Sequence, residues 1–332
     1  MTDRRILAFG ICVVMMSLSA ACRQATAIGE GVVSAERVQL KQSTARVPGY
    51  AGELKRGDKV TIIGEQGAMQ KVRAEQPKQI EGWMEKRDIV SQDLFTKGKA
   101  LEDSTKSIPA QATGKLKQDT NLRVTPSRDA DGSVLFQVPR DTHFEILDKK
   151  HVLSPKGKDK DADKPQKMEA WYEVRLPQDF LTRVGWLYGP SVEFAIPTEI
   201  ATFENSGYKF IAWHVIGSAK DKESGEVKNY LILEKRIGNN DSNIDFDRIY
   251  AIAWDPEGHS YYSILAASDL KGKTPLKVDT DKDGRSTATM TLLDRDGKAV
   301  QAEYVISKDD KGKYHMTRVD NNDTSKGKAK KK

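Results

Sequence analysis

Trp171-Tyr172-Glu173-Val174-Arg175, followed shortly by Gly185-Trp186-Leu187, decides how this chain folds. Large apolar and polar side chains alternate in the first stretch, which reads as a strand with one buried face. The glycine ahead of Trp186 lets a neighbouring backbone pass close, while the ring caps a barrel too small for a large core. Two pieces precede this pair: Asn121-Leu122-Arg123-Val124, then Val138-Pro139-Arg140-Asp141-Thr142-His143-Phe144. The same order occurs earlier in the chain. There the pieces are Val38-Gln39-Leu40, Leu54-Lys55-Arg56-Gly57-Asp58-Lys59-Val60, Lys71-Val72-Arg73 and Gly82-Trp83-Met84. The offset is 82 at Leu40 and Leu122 and 83 at Asp58 and Asp141; it becomes 102 at the Val-Arg pairs and 103 at the Gly-Trp pairs. One insertion explains the jump. It falls on the tract SPKGKDKDADKPQK, residues 154–167, which has no apolar periodicity and reads as an inserted loop. Such insertions cost little free energy.

Each copy has about 60 residues, enough for a five- or six-stranded barrel, and Gly57-Asp58 is a turn signal leading into a strand. At these residues the chain resembles the bacterial SH3 family. That family has an opening Leu-Arg, a central Gly-Asp turn, a Trp-x-x-Val strand and a late Gly-Trp strand. The second copy matches at Leu122-Arg123, Trp171 to Arg175 and Gly185-Trp186. In the first copy Leu40 is followed by Lys41, and Met69 stands where the Trp-x-x-Val tryptophan would be. The resemblance implies small β-barrels that bind cell-envelope peptide, peptidoglycan or a protein partner. Trp171, Tyr172, Trp186, Tyr188 and Trp83 are the candidates for a ligand groove, since aromatics offer stacking area at little entropic cost. Core or capping roles are the alternative, favoured for Trp83 and Trp186 by the preceding glycines.

Beyond residue 196 the apolar alternation continues. Candidate strands are 209–216, 228–235, 248–254, 260–266, 288–293, 300–306 and 314–318, joined by Asn, Asp and Gly turn signals. The expected fold is therefore all-β: two small SH3-like barrels followed by an antiparallel meander that closes as a barrel or packs as a sandwich. The expected divisions are a signal peptide (1–21), a tether (22–30), module 1 (31–95), a linker (96–113) with one short helical stretch, module 2 (114–196), a C-terminal β domain (197–320) and a Lys-rich tail (321–332).

The N-terminus carries Arg4 and Arg5, then an apolar run from Ile6 to Ala21, the length of a signal h-region and short for a membrane span. It ends in Leu18-Ser19-Ala20-Ala21-Cys22, which resembles a lipobox, although Ser19 stands where the strongest pattern has leucine. That resemblance implies a lipid on Cys22, membrane attachment through it and, with Arg23 next, an outer-membrane address. Ordinary cleavage after Ala27, giving a secreted protein, and an uncleaved anchor stay open. The net charge of +6 among 332 residues is concentrated at the ends: the leader is net positive, and residues 326–332 hold five lysines and no acid. The body is near neutral, so its domains are not expected to bind nucleic acid, which needs clustered cations on one face.

The two cysteines, Cys12 and Cys22, both lie in the leader, which closes the Cys/His peptidase chemistry that often accompanies such modules. His143, His151, His214, His259 and His315 show no metal spacing and no triad motif; His214 reads as a half-buried, hydrogen-bonded residue. Asp279, Asp281 and Asp283, with Gly284, match the first half of a calcium loop, but position twelve is Met290, and an Asp-rich hairpin turn is the simpler reading. No catalytic residue, metal or cofactor is expected. The expectation is a non-catalytic envelope lipoprotein. The alternatives are a C-terminal barrel that carries a small apolar ligand and a hydrolase whose site is scattered through the sequence.

Overall fold

The computed structural model describes residues 26–75, 79–128, 133–155, 167–205, 207–282 and 285–319. The leader with Cys22 and Arg23, most of the charged insertion, Asp283 and the lysine tail lie outside these residues.

The chain is all-β with antiparallel sheets. The first sheet comprises β1 (Gly29–Val33), β2 (Arg37–Lys41), β3 (Tyr50–Lys55), β4 (Lys59–Gln66), β5 (Met69–Ala74), β6 (Ile80–Glu85) and β7 (Ile89–Ser91). Helix α1 (Gln92–Ser104) follows. The second sheet comprises β8 (Ala112–Leu116), β9 (Thr120–Arg123), β10 (Val134–Val138), β11 (His143–Leu153), β12 (Met168–Arg175), β13 (Val184–Tyr188) and β14 (Val192–Phe194). The first sheet runs β3-β2-β6-β5-β4-β1-β7 and the second β10-β9-β13-β12-β11-β8-β14. Renumbered within each sheet, the two orders are the same, with seven strands each rather than five or six.

The repeat extends to single atoms. A Cβ on Gly82 would lie 2.7 Å from Leu40 Cβ, and one on Gly185 would lie 2.6 Å from Leu122 Cγ. Both glycines are needed for the close approach of β2 or β9, since any larger residue drives into a buried leucine. A register shift follows Ile62 in β4, and the same shift follows Ile146 in β11. The central turn aligns one residue away from the sequence reading. Gly57 N–H donates to Val33 O and Asp141 N–H to Leu116 O, and both residues have positive φ, 92° and 61°. Gly57 therefore corresponds to Asp141 and Asp58 to Thr142. Glycine and aspartate both tolerate the left-handed conformation, so matching the two aspartates displaced the alignment.

Half of the segment read as a linker is helix: the helical stretch expected there is the end of α1, which begins at Gln92. Ser91 caps α1, its Oγ accepting from Leu94 N–H at 3.3 Å, and Asp93 occupies the first turn. Strand β8 also begins inside that segment, at Ala112.

After the short helix α2 (Thr198–Ala201) come β15 (Tyr208–Asp221), β16 (Gly225–Arg236), β17 (Arg248–Asp255), β18 (Ser260–Ala267), β19 (Gly272–Thr280), β20 (Ser286–Leu293), β21 (Ala299–Lys308) and β22 (Tyr314–Arg318). Strands β15–β18 form one meander and β19–β22 another. This is a sandwich of two four-stranded sheets, not a hydrogen-bonded closed barrel. Strand β19 was not expected, because it has few apolar positions and contains Pro275. Leu231, Leu233, Ile249 and Phe246 from the first half pack against Leu276, Met290, Tyr304 and Ile306 from the second. These side chains fill the space that an internal apolar ligand would need.

Module 1 has its own core, including Val33, Leu40, Leu54, Val60, Val72 and Met84. Module 2 does not. Leu116, Leu122, Phe144, Val174 and Leu187 share one core with Phe210, Trp213, Tyr230, Ile232 and Ile252 of the sandwich. Gln111 fastens the same junction: its side chain donates to Leu276 O at 2.9 Å and accepts from Leu276 N–H at 2.6 Å.

Candidate functional site

The outer face of module 2 holds three of the five candidate aromatics. Two ladder rows cross it: Lys150, Trp171 and Tyr188 in the first, and Asp148, Glu173, Trp186 and Arg123 in the second. Side chains alternate across a strand, so Tyr172 points the other way. It packs against the shared core, with its ring 5.5 Å from Phe194, and burial pushes its hydroxyl up to about 12. Tyr172 is thus no part of an outer groove. Trp171 is 1% exposed and Trp186 3%. Lys150 Nζ lies 4.7 Å from the Trp186 ring centroid; Arg128 stands 5.0 Å from that of Tyr188, which in turn tilts onto Trp171 at 5.4 Å. Arg128 also pairs with Glu169. The tryptophans are covered, and Tyr188 is the half-buried aromatic left at the surface. The Trp171 indole N–H has no hydrogen-bond partner. Burial holds the carboxyls of Asp148 and Glu173 above the usual carboxylate range, and the Asp148 charge adds to the rise at Glu173.

Module 1 carries the same rows with other residues. Gln66, Met69 and Glu85 occupy the first, and Gly64, Lys71, Trp83 and Lys41 the second. Trp83 is half-buried there, flanked by Lys71 and Lys41 where its counterpart Trp186 has Glu173 and Arg123.

A cleft of about 600 Å³ lies between the two modules. Ala68, Gln70 and the 3-10 turn Lys86–Asp88 form one wall, with Ile89 and Leu94 below; Val134 to Gln137 of β10 form the other. Strand β10 is the last strand of its sheet and pairs only with β9, so its other backbone edge makes no ladder hydrogen bonds, although Leu135 on it packs against α1 at Gly98. The charges on the rim are already matched: Lys86 pairs with Glu65 at 2.8 Å and Arg87 with Glu85 at 2.7 Å. Arg56 spans the modules, donating to Asp179 O and lying 5.5 Å from the Phe180 ring centroid. Sequence reading missed this cleft because its walls come from separate segments. The Ser91 cap and the Asp93 of the first turn were the available signal for its floor.

Among the described residues no cluster of His, Cys, Asp or Glu could hold a metal ion. The Asp-rich turns explain themselves. Asp294 Oδ1 accepts from the N–H groups of Asp296 and Lys298, Asp309 Oδ1 from those of Lys311 and Lys313, and Asp281 Oδ1 from that of Arg285. These carboxylates cap their own hairpins. His214 is half-buried, but its Nε2 finds no partner, and burial lowers its pKa to about 4, so the ring is neutral. His259 Nδ1 lies 2.9 Å from Asp221 Oδ2, which also accepts from Trp254 Nε1 at 2.9 Å. No helix among the described residues is long and apolar enough to cross a membrane.

No family model and no curated protein matches the chain. Among solved structures, an NlpC/P60 family protein from Bacillus cereus is similar at 12% identity, over 51% of this chain and 57% of that one, with a TM-score of 0.21. NlpC1 from Trichomonas vaginalis is similar at 11% identity, over 78% and 98%, with a TM-score of 0.18. NlpC2 from the same organism is similar at 10% identity, over 89% and 93%, with a TM-score of 0.17. The chain thus spans 57% of the length of the Bacillus cereus protein. At such values these likenesses carry no argument about its activity.

Proposed function

We propose that the chain is a non-catalytic cell-envelope binding protein, tethered by a lipid on Cys22, whose paired SH3-like modules hold an extended peptide of the wall or of an envelope protein. One observation supports this reading: the intermodule cleft has a strand edge without a ladder partner as one wall and apolar side chains as its floor. An extended peptide adds to such an edge through backbone hydrogen bonds, while side-chain pockets select its residues. The apolar-ligand carrier is disfavoured by the filled sandwich core.

The test is retention of the full chain on purified peptidoglycan sacculi, and on muropeptides released from them, at two salt concentrations and with residues 326–332 deleted. Ala68 is exposed and lines the cleft. Ala68→Arg fills the space without entering a core and should weaken retention at least about tenfold. Retention that vanishes with the lysine tail, or that ignores Ala68→Arg, would place the interaction elsewhere.

A further inference from the structure

Each of the four sheets ends in two edge strands. An edge presents unpaired N–H and C=O groups, and folded chains blunt it by shortening the strand, charging it, placing proline in it or covering it. Seven of the eight edges here are blunted in these ways. Strands β7 and β14 have three residues each, and β10 and β22 have five. Strand β3 carries Glu53 and Lys55, and β19 carries Lys273, Lys277, Asp279 and Pro275. Strand β15 carries Lys209 and Lys220, and module 2 covers it where Trp213 N–H donates to Gln111 O at 2.8 Å.

Strand β18 is the exception. Its eight residues, Ser260-Tyr261-Tyr262-Ser263-Ile264-Leu265-Ala266-Ala267, include no charge, no proline and no glycine. It pairs with β17 alone, and its outward N–H and C=O groups have no backbone partner among the described residues. Its one guard is a register break at Ile264. The sandwich core is also left open along this strand. Ile249, Ala251 and Ala253 of β17 are fully buried, whereas Tyr262, Ile264 and Leu265 of β18 pack on the same core and are only half-buried. At the opposite margin Ala212 and Ile216 of β15 are buried and close the core. Tyr262 ties the open margin to the second sheet, its hydroxyl accepting from Tyr314 N–H at 2.9 Å.

We propose that β18 pairs with β18 of a second copy of this chain, antiparallel about a two-fold axis, so that two four-stranded sheets become one of eight strands. Antiparallel pairing with its own copy satisfies the open N–H and C=O groups of both strands. No side chain on the strand repels its copy, because none is charged. The ends are complementary as well. Exposed Glu257 precedes the strand and exposed Lys271 follows it, and a two-fold through the middle of β18 brings the first end of one copy to the last end of the other. Pairing also withdraws the open core margin at Tyr262, Ile264 and Leu265 from water. Each copy has one such edge, so assembly stops at two. A contact built on one strand is at the small end of specific interfaces, which makes the dimer weak and reversible. It is independent of the peptide cleft, and either can fail without the other.

Sedimentation and hydrogen–deuterium exchange of the full chain, from about 1 to about 100 µM, test it. The expected result is a mass that doubles as concentration rises, with amide protection increasing in residues 260–267 in step. Ser263 and Ala266 are exposed. Ser263→Lys and Ala266→Lys set like charges near the axis and should each weaken the dimer at least about tenfold, with circular dichroism spectra unaltered. Ser263→Thr keeps the strand uncharged and should leave the dimer intact. The proposal is overturned by a chain that stays monomeric at the highest concentration, or by a dimer that survives both lysine substitutions. Association without added protection in residues 260–267, as the apolar leader would cause, overturns it too, and so does growth beyond two copies.

Discussion

The two modules share a strand order and differ in what they rest on. Module 1 closes around its own core and touches its neighbour through Arg56, α1 and the edge of β10. Module 2 merges its core with that of the sandwich. A repeated sheet has thus been given two tasks. One copy became the hub that holds the chain together, and its aromatic face is closed by Lys150 and Arg128. The other copy stands off by a cleft. Concavity in a repeat arises where the copies fail to merge, and binding is expected there rather than on the more aromatic copy.

The sharpest test of this difference uses the paired glycines. Gly185→Val forces a side chain into Leu122 and the backbone carbonyl of Arg123, 3.0 Å from the new Cβ. Overpacking there should cost roughly 3 kcal/mol or more and lower the unfolding midpoint of module 2 and the sandwich together. Gly82→Val makes the matching clash with Leu40 and Lys41 O. It should loosen module 1 alone, so that hydrogen exchange rises in residues 29–91 and stays unchanged in β15–β22. Equal loss in both regions would show that the cores are coupled.

A middle-sized effect separates the same units by pH. The Glu234 side chain is fully buried, with no hydrogen bond to either oxygen, although the Arg248 guanidinium lies 3.2 Å away. Burial raises its pKa to about 7 from 4.5, against the opposing pull of Arg248. The folded state therefore binds a proton that the unfolded chain releases. Its contribution is complete below about pH 4.5 and disappears as the pH rises to about 7. Glu234→Gln should remove that slope and gain on the order of 2 kcal/mol at pH 8, in the transition of module 2 and the sandwich only. A slope unchanged by the substitution would contradict the assignment.

The smallest effect concerns the closed face. Lys150→Ala should cost roughly 0.5–1 kcal/mol, the usual size of a cation–π contact near the surface, and should open Trp186 to a soluble quencher. No change in quenching would mean that Lys150 does not cover the ring.

Much of the fold was legible because its signals are local. Gly82-Trp83 and Gly185-Trp186 announce a close approach followed by a ring, and each glycine does meet a leucine on the second strand of its own copy, Leu40 in β2 and Leu122 in β9. Seven of the eight sandwich strands show their alternation openly. Strand β19 does not, since Leu276 and Val278 are its main apolar positions. Helix α1 was legible only as a short stretch within a linker, because its buried face is weakly patterned and Gly98, not a large residue, meets Leu135 and Thr182 there. The candidate site was less legible. Trp171 and Trp186 stand out in the sequence, yet the structure covers them. The cleft depends on how two similar sheets fail to join, which no single stretch of sequence records.

Hydrogen–deuterium exchange of the full chain, with and without muropeptides from purified sacculi, tests the central claim most directly. Peptide binding in the cleft predicts added protection in residues 134–138 of β10 and in residues 85–94, and none in β15–β22. Protection confined to the sandwich or to the outer face of β12 and β13, or no protection at saturating muropeptide, would contradict it.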